Sequence, residues 1–469
     1  MALLEVKDLK VHFKIQNGWV KAVDGVSFTI DKGETLGLVG ESGCGKTTAA
    51  YAITQLLPTN GYIKGGHIFF KEPANVTALR EEYDRRFQNT PKAHQDEIAR
   101  VKGELAPVQN ELHKLTQRRN ELEKKKSAAL ADLTKQMKAL SSKTKPQKKS
   151  QVPQDLVNRL KDLTTRKEKL EKENPVPAEL ARQMEQLGVK VTELKHKLSA
   201  LTYSNDLLGK SMRKDGSLDD WNEEIRKVRW SEISMIFQGA MNAFNPVFKI
   251  GDQIVEAIQL HEDVDDAKAE ERVRELFKFV GIPEDRIGNF PHEFSGGMKQ
   301  RAMIALALAL SPSFIIADEP TTALDVITQD RVLFEIKKLQ TEWNMAMMII
   351  THDVSVVAEV SDKIAVMYAG KIMELGPTNM VFKKPAHPYT SGLLGSFPSI
   401  KGPRKRLASI PGFPPDLVNP PKGCPFHPRC QYAKDICGKK APPAVEIEPG
   451  HIAYCHYSRD LWEELRRDR

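Results

Sequence analysis

Gly40-Glu41-Ser42-Gly43-Cys44-Gly45-Lys46-Thr47 has the spacing of a phosphate-binding loop, G-x-x-x-x-G-K-[ST]. Glycines at these positions let successive backbone N–H groups turn inward around the β- and γ-phosphates of a nucleotide. A helix beginning at Lys46 presents its positive end to the same charge. Lys46 adds a point charge and Thr47 a hydroxyl for Mg²⁺, while Ser42, Cys44 and Thr48 complete the residues expected along the nucleotide. Cys44 reads as a small loop residue rather than a nucleophile, because no general base is suggested beside it. A second chemical group closes the apolar run Phe314-Ile315-Ile316-Ala317-Asp318-Glu319. Two carboxylates at a strand end place Asp318 beside Mg²⁺ and Glu319 beside an attacking water. A third is the set Cys424, Cys430, Cys437 and Cys455, spaced C-x5-C-x6-C-x17-C. Four thiolates can take a [4Fe-4S] cluster or one tetrahedral Zn²⁺, with His427 and His456 as substitute ligands for zinc. The expected role is structural, fixing a segment too poor in apolar residues to fold unaided.

These groups need a scaffold, and the hydrophobic pattern outlines one. Leu3 to Val11 and Val26 to Ile30 alternate as half-buried strands do, and Glu34 to Gly40 reads as a buried strand running into the glycine turn. Ile233 to Phe237, Phe314 to Ala317 and Met347 to Thr351 are further buried runs, and helical periodicity extends from Ile250 to Val280. Strands alternating with helices imply an α/β fold with a largely parallel sheet. From Lys71 to Lys214 the composition changes: glycine nearly vanishes and Lys, Glu, Gln and Leu dominate. Ile98, Val101, Leu105, Val108, Leu112, Leu115 and Leu122 keep a three-four spacing, as do Leu180, Met184, Leu187, Val191, Leu194, Leu198 and Leu201. With the lysine-rich Ser141 to Pro153 as the turn, these arms predict an antiparallel coiled-coil hairpin about 75 Å long, its return arm interrupted at Pro175 and Pro177. Beyond Gly376 proline becomes frequent, which marks a loop-rich C-terminal region. The expected organisation is therefore one α/β domain from 1–70 and 215–376, an insertion at 71–214 and a tail at 377–469.

Composition narrows the function classes. A chain of 469 residues with 40% hydrophobic content is too long for one small domain. Its mean hydropathy is −0.43, and the longest apolar run, Ala302 to Leu310, falls short of the about twenty residues a membrane-spanning helix needs. The start has no basic stretch followed by a long apolar core, so no secretory leader is expected and the cytoplasm is the expected compartment. Five cysteines are too few for a disulfide scaffold. The net charge of +8 would ordinarily suggest nucleic acid or an anionic membrane as partner. Residues 71–214, however, hold 32 Lys/Arg against 20 Asp/Glu, a net +12, which leaves the rest of the chain at −4.

Phe294-Ser295-Gly296-Gly297-Met298-Lys299-Gln300-Arg301 resembles the signature of the ATP-binding cassette ATPases, whose usual fifth residue is Gln where this chain has Met298. The resemblance implies a RecA-like core, an antiparallel β subdomain and a helical subdomain. It also implies that the Ser295 hydroxyl and the Gly296 and Gly297 amides close on the γ-phosphate held by an opposing subunit. Gln238 is similar to the family's Q-loop glutamine, which touches Mg²⁺ and water and senses a transmembrane partner. Ala323-Leu324-Asp325 resembles the D-loop, and His352 the switch histidine that contacts the γ-phosphate. Phe13 is the candidate for stacking on adenine, with Trp19 competing for the role.

Ile236 to Pro246, Ile250 to Ile254, Ala386 to Leu394 and Ile410-Pro411-Gly412 resemble the dipeptide and oligopeptide importer ATPases, a likeness covering residues 1–70 and 215–469. The hairpin has no counterpart in that family's usual pattern. The resemblance favours a [4Fe-4S] cluster over zinc at the four cysteines. It implies an ATP-hydrolysing subunit on the cytoplasmic face of the cell membrane, beneath two membrane-spanning permease subunits. The partners implied are a second, related ATPase and, indirectly, an extracellular substrate-binding protein. Peptides are the implied cargo, with oligosaccharide or nickel as alternatives within the family. The rival class is a coiled-coil chromosome-maintenance or repair ATPase. Against it, the coil enters before Gln238, lacks a Cys-x-x-Cys hook, and precedes a tail with importer motifs, so no nucleic-acid partner is expected. A translation-factor cassette protein would normally hold two cassettes, and this chain holds one phosphate loop.

Overall fold

The computed structural model describes residues 2–88, 90–143, 154–172, 176–203, 206–208, 212–213, 215–216, 223–239, 243–320, 326–396 and 410–465. They form two compact units, Met1–Glu72 with Asn205–Arg469, and Pro73–Ser204. The first opens with a hairpin of β1 (Ala2–Ile15) and β2 (Gly18–Asp31), passes through β3 (Thr35–Val39) into α1 (Lys46–Thr54), and adds β4 (Gly61–Phe70) to the free side of β1. The three-stranded antiparallel sheet β2-β1-β4 results. Its buried positions Leu4 and Val6, then Leu9 and Val11, keep the period of a half-buried strand on either side of a bulge at Asp8, whose φ is 49°. Asp206 is buried against β4: it bridges Phe69, accepts from the Ile68 N–H at 2.9 Å and faces His67 Nδ1 at 2.7 Å.

The second unit is helical: α2 (Ala74–Phe87), α3 (Pro91–Lys143), α4 (Gln154–Lys172) and α5 (Ala178–Thr202). His94 meets the Leu201 carbonyl at 2.9 Å and Lys126 meets the Glu171 carbonyl at 3.0 Å. The chain therefore runs out along α3 and back along α4 and α5, as an antiparallel hairpin. Val101, Leu105, Val108, Val191, Leu194 and Leu201 of the expected arms are buried together. Val76 and Tyr83 of α2, a helix that the two-arm expectation left out, join them. The expected turn lies largely outside the described residues, as does Pro175.

Past the helical unit come α6 (Glu223–Val228) and β5 (Ile233–Ile236), then α7 (Ile250–Gln259), α8 (Asp266–Phe279) and α9 (Gly296–Leu308). The helical periodicity over Ile250 to Val280 is carried by two helices. Asp265 sets the boundary by capping α8, its Oδ1 accepting from the Lys268 N–H at 2.9 Å. Next follow β6 (Phe314–Asp318), α10 (Val326–Glu342), β7 (Ala346–Ile350), α11 (Val354–Val360), β8 (Lys363–Tyr368) and β9 (Lys371–Pro377). The tail contributes α12 (Thr378–Lys383), α13 (Pro388–Gly395), β10 (Val445–Glu448), β11 (His451–Ala453) and α14 (Ser458–Leu465).

The main sheet runs β10-β11-β9-β8-β3-β7-β6-β5. From β8 to β5 every neighbour is parallel. β3, β6 and β7 are buried at every position, the mark of parallel strands covered on both faces. The tail is joined to this sheet: β11 pairs with β9 through Ile452 and Ala453, and the buried pair His451–Glu374 ties them at 2.8 Å.

Candidate functional site

The sheet order fixes the site. β3, β7, β6 and β5 are consecutive parallel neighbours, so the residues following each strand emerge side by side at one edge, spaced by about 4.8 Å per strand. Those residues are the glycine loop after β3, His352 after β7, Asp318 and Glu319 at the end of β6, and Gln238 after β5. In an open α/β sheet this carboxyl edge is where ligands bind.

Within the loop, Gly40 and Gly45 have φ of 153° and 103°. A Cβ at Gly40 would collide with the Met367 carbonyl, and one at Gly45 with that of Ala22, so neither position has room for a side chain. Gly43, also at positive φ, faces open space. Gly45 caps α1, leaving Lys46 in its first turn. The Lys46 ammonium is folded onto the loop itself, donating to the carbonyls of Gly40 at 2.9 Å and Glu41 at 3.1 Å. Cys44 is buried, and desolvation raises its thiol pKa against the opposing pull of Lys46, the opposite of what a nucleophile needs. Ser42 sits in the loop, and Thr47 and Thr48 in the first turn of α1.

Asp318 is 1% exposed, and neither carboxylate oxygen has a hydrogen-bond partner of good geometry. Burial pushes its pKa up, Glu319 adds to that, and the adjacent Thr47 hydroxyl and Lys46 charge pull against it. A buried carboxylate with two open oxygens beside a hydroxyl suits a divalent cation. Glu319 has a left-handed backbone, φ 49°, held by its N–H donating to the Ile350 carbonyl at 2.8 Å. Its Oε2 accepts from Gln238 Nε2 at 2.6 Å and its Oε1 faces His352 Nδ1 at 3.2 Å. Two residues expected separately from the sequence, Gln238 and His352, thus converge on the carboxylate of a third, Glu319.

Ser295 opens a helix of its own. It caps α9, its Oγ accepting from the Met298 N–H at 3.3 Å, with Gly296 and Gly297 opening the helix. Sequence reasoning missed Gln300, which is buried on α9 and donates to the Pro320 carbonyl at 2.5 Å, one residue past Glu319. A lone amide on the otherwise apolar face of α9 was the available signal. Phe13 is half-buried in the β-sheet core beside Gly61. Trp19 packs edge-on against Tyr62 with the Lys64 ammonium 4.0 Å from its ring centroid. Asp325 lies outside the described residues.

Cys424, Cys430, Cys437 and Cys455 line one small cavity with His387, Phe426, His427, Tyr432 and His456. Burial raises the Cys424 thiol to about 12 and the Cys455 thiol to about 11, and charge on the neighbouring cysteines opposes ionisation further. Among the described residues, no group of three or more His, Cys, Asp or Glu is gathered so as to hold a metal ion. The four thiols expected as ligands thus line one cavity of about 20 Å³ without being gathered into a formed metal centre.

A family model described as "ABC transporter" matches residues 23–203 and 202–322, and one described as "Oligopeptide/dipeptide transporter, C-terminal region" matches 373–437. The oligopeptide transport ATP-binding protein OppD of Bacillus subtilis is 34% identical over 453 residues, covering 96% of this chain and 87% of that protein. OppD of Escherichia coli is 32% identical over 456 residues, covering 97% and 93%. Among solved structures, a dimeric ATP-binding cassette in a post-hydrolysis state bound to ADP and Pi has a TM-score of 0.46 at 16% identity, covering 80% of this chain and 98% of that one.

Proposed function

Because the chain belongs to the ABC transporter ATP-binding family and carries its oligopeptide/dipeptide C-terminal region, we propose that its site hydrolyses ATP to power import of di- and oligopeptides. The observation that carries this reading is the convergence of Gln238 and His352 on Glu319, beside the phosphate loop and the open carboxylate of Asp318. On this reading the loop amides and Lys46 receive the phosphates. Glu319 accepts a proton from the attacking water, while Gln238 and His352 hold the carboxylate in place. Thr47, Asp318 and Gln238 would hold Mg²⁺, which neutralises phosphate charge when bound. Ser295, Gly296, Gly297 and Asp325 serve the nucleotide of an opposing cassette, and Phe13 stacks on its own adenine.

The protein acts beneath two permease subunits on the cytoplasmic face of the membrane, paired with a second related ATPase and fed by an extracellular binding protein. No described helix is long and apolar enough to cross a membrane, in keeping with a peripheral subunit. The heptad spacing along α3 and α5 supports a coiled coil, whose segment carries the basic excess of the chain. The shared cavity supports a four-thiolate tail site, for which a [4Fe-4S] cluster is the first choice and Zn²⁺ the second; its occupation requires the thiols to rearrange. Iron, sulfide and zinc analysis of anaerobically purified protein distinguishes them.

Co-expression with peptide-importer permease subunits and reconstitution in vesicles tests the main reading. Peptide added with the binding protein should accelerate phosphate release, and Lys46→Ala should abolish it. ATPase activity indifferent to peptide would remove peptide import.

A further inference from the structure

Glu41 is an unexpected residue to find in a loop that receives phosphates, because its carboxylate carries the same charge as the ligand. The structure shows what offsets it. Glu41 Oε2 accepts from Arg429 Nη1 at 2.8 Å, and the Arg429 side chain is 8% exposed. The rest of the guanidinium is occupied by groups of the same unit: Nε donates to the Pro411 carbonyl at 2.8 Å, and Nη1 also to the Tyr368 hydroxyl at 3.2 Å. The Glu41 N–H donates to the Tyr389 hydroxyl at 3.0 Å. Arg429 and Tyr389 both belong to the C-terminal region. Tyr389 is fully buried, and its own N–H donates to His387 Nδ1 at 3.0 Å. The tail therefore grips one phosphate-loop residue twice, by its side chain and by its backbone.

We propose that Arg429 is a positioning residue for the nucleotide: it neutralises Glu41 and, with the Tyr389 hydroxyl, holds the Gly40–Gly45 turn in its phosphate-receiving shape. This rests on the nucleotide-binding reading above. An arginine fork suits the task, since it binds a carboxylate while spending its other donors on fixed carbonyls. Without it, the carboxylate stays beside a polyanionic ligand in a partly desolvated turn, where like charge acts strongly.

The test is titration of the full-length protein with MgADP, which binds without turnover, for wild type, Glu41→Gln, Arg429→Met, the double variant and Tyr389→Phe. Arg429→Met should weaken binding about tenfold, and because the pair is largely buried most of that loss should persist in about 0.5 M KCl. The double variant, with no unpaired charge, should bind within about twofold of Glu41→Gln, because effects of residues in direct contact do not add. Tyr389→Phe should weaken binding by a salt-independent factor. A folded Arg429→Met with wild-type affinity overturns the proposal. So does a double variant that binds about tenfold more weakly than Glu41→Gln, a comparison that holds even if Arg429→Met alone fails to fold. Wild-type protein that binds no MgADP overturns the nucleotide-site reading itself.

Discussion

Replacing Glu319 by Gln separates basicity from shape. The carboxylate now accepts from Gln238 at 2.6 Å and faces His352 Nδ1 at 3.2 Å. A glutamine retains an acceptor for Gln238 through Oε1 and turns an N–H toward His352, so both contacts survive with the imidazole tautomer whose Nδ1 accepts. Nothing changes for the backbone, because the N–H to Ile350 and the left-handed φ do not depend on the side-chain head group. Only the proton acceptor is lost. A positioned general base contributes about 10²–10⁴-fold, or about 3–5 kcal/mol of barrier at about 1.4 kcal/mol per factor of ten. The assay is phosphate release at saturating MgATP in the reconstituted transporter, with nucleotide retention measured on the desalted protein. Turnover should fall within that range while ATP remains bound. Full activity would remove Glu319 as the base, and loss of binding together with turnover would reassign it to holding nucleotide.

Gly45→Ala places a Cβ against the Ala22 carbonyl at φ 103°; it should cost about 1–3 kcal/mol of stability and weaken MgADP binding, and unchanged melting and affinity would contradict the geometry. Joining Glu72 to Asn205 through a short Gly/Ser linker removes the helical unit and should leave intrinsic ATP hydrolysis standing, whereas a folded but inactive product would show the hairpin to be part of the engine. Burial pushes the His387 imidazole down to about 3, while an unfolded histidine titrates near 6.5. The unfolded chain thus binds the extra proton, and stability present above pH 6.5 is lost as pH falls toward 3. Between pH 7 and 5 urea unfolding should show His387→Gln losing about 2 kcal/mol less than wild type, and equal losses would refute a buried neutral imidazole.

The nucleotide site was legible because its parts are short and each carries its own physical reason. Glycines mark a turn without room for side chains, and an apolar run closing on two acids marks a buried strand end. Their mutual arrangement was not, since it follows from the strand order β3-β7-β6-β5, which no local pattern encodes. The same limit hid Gln300, whose partner carbonyl is 20 residues away, and Arg429, whose partner carboxylate is 388 residues away. Helical periodicity marked Ile250 to Val280 as helical but not where one helix gives way to the next, because both share one apolar phase; the boundary is set by the capping Asp265. In the tail, cysteine spacing located the thiols at one cavity but could not give its size.

Asp206 clamps the returning chain onto β4 within a few residues of where the helical excursion departs. An antiparallel hairpin brings its own ends together, so lengthening or trimming it leaves the strand register untouched. A change of arm length should therefore leave the catalytic strands undisturbed. For the same reason the junction is a rational place to graft a fluorescent reporter or an affinity handle.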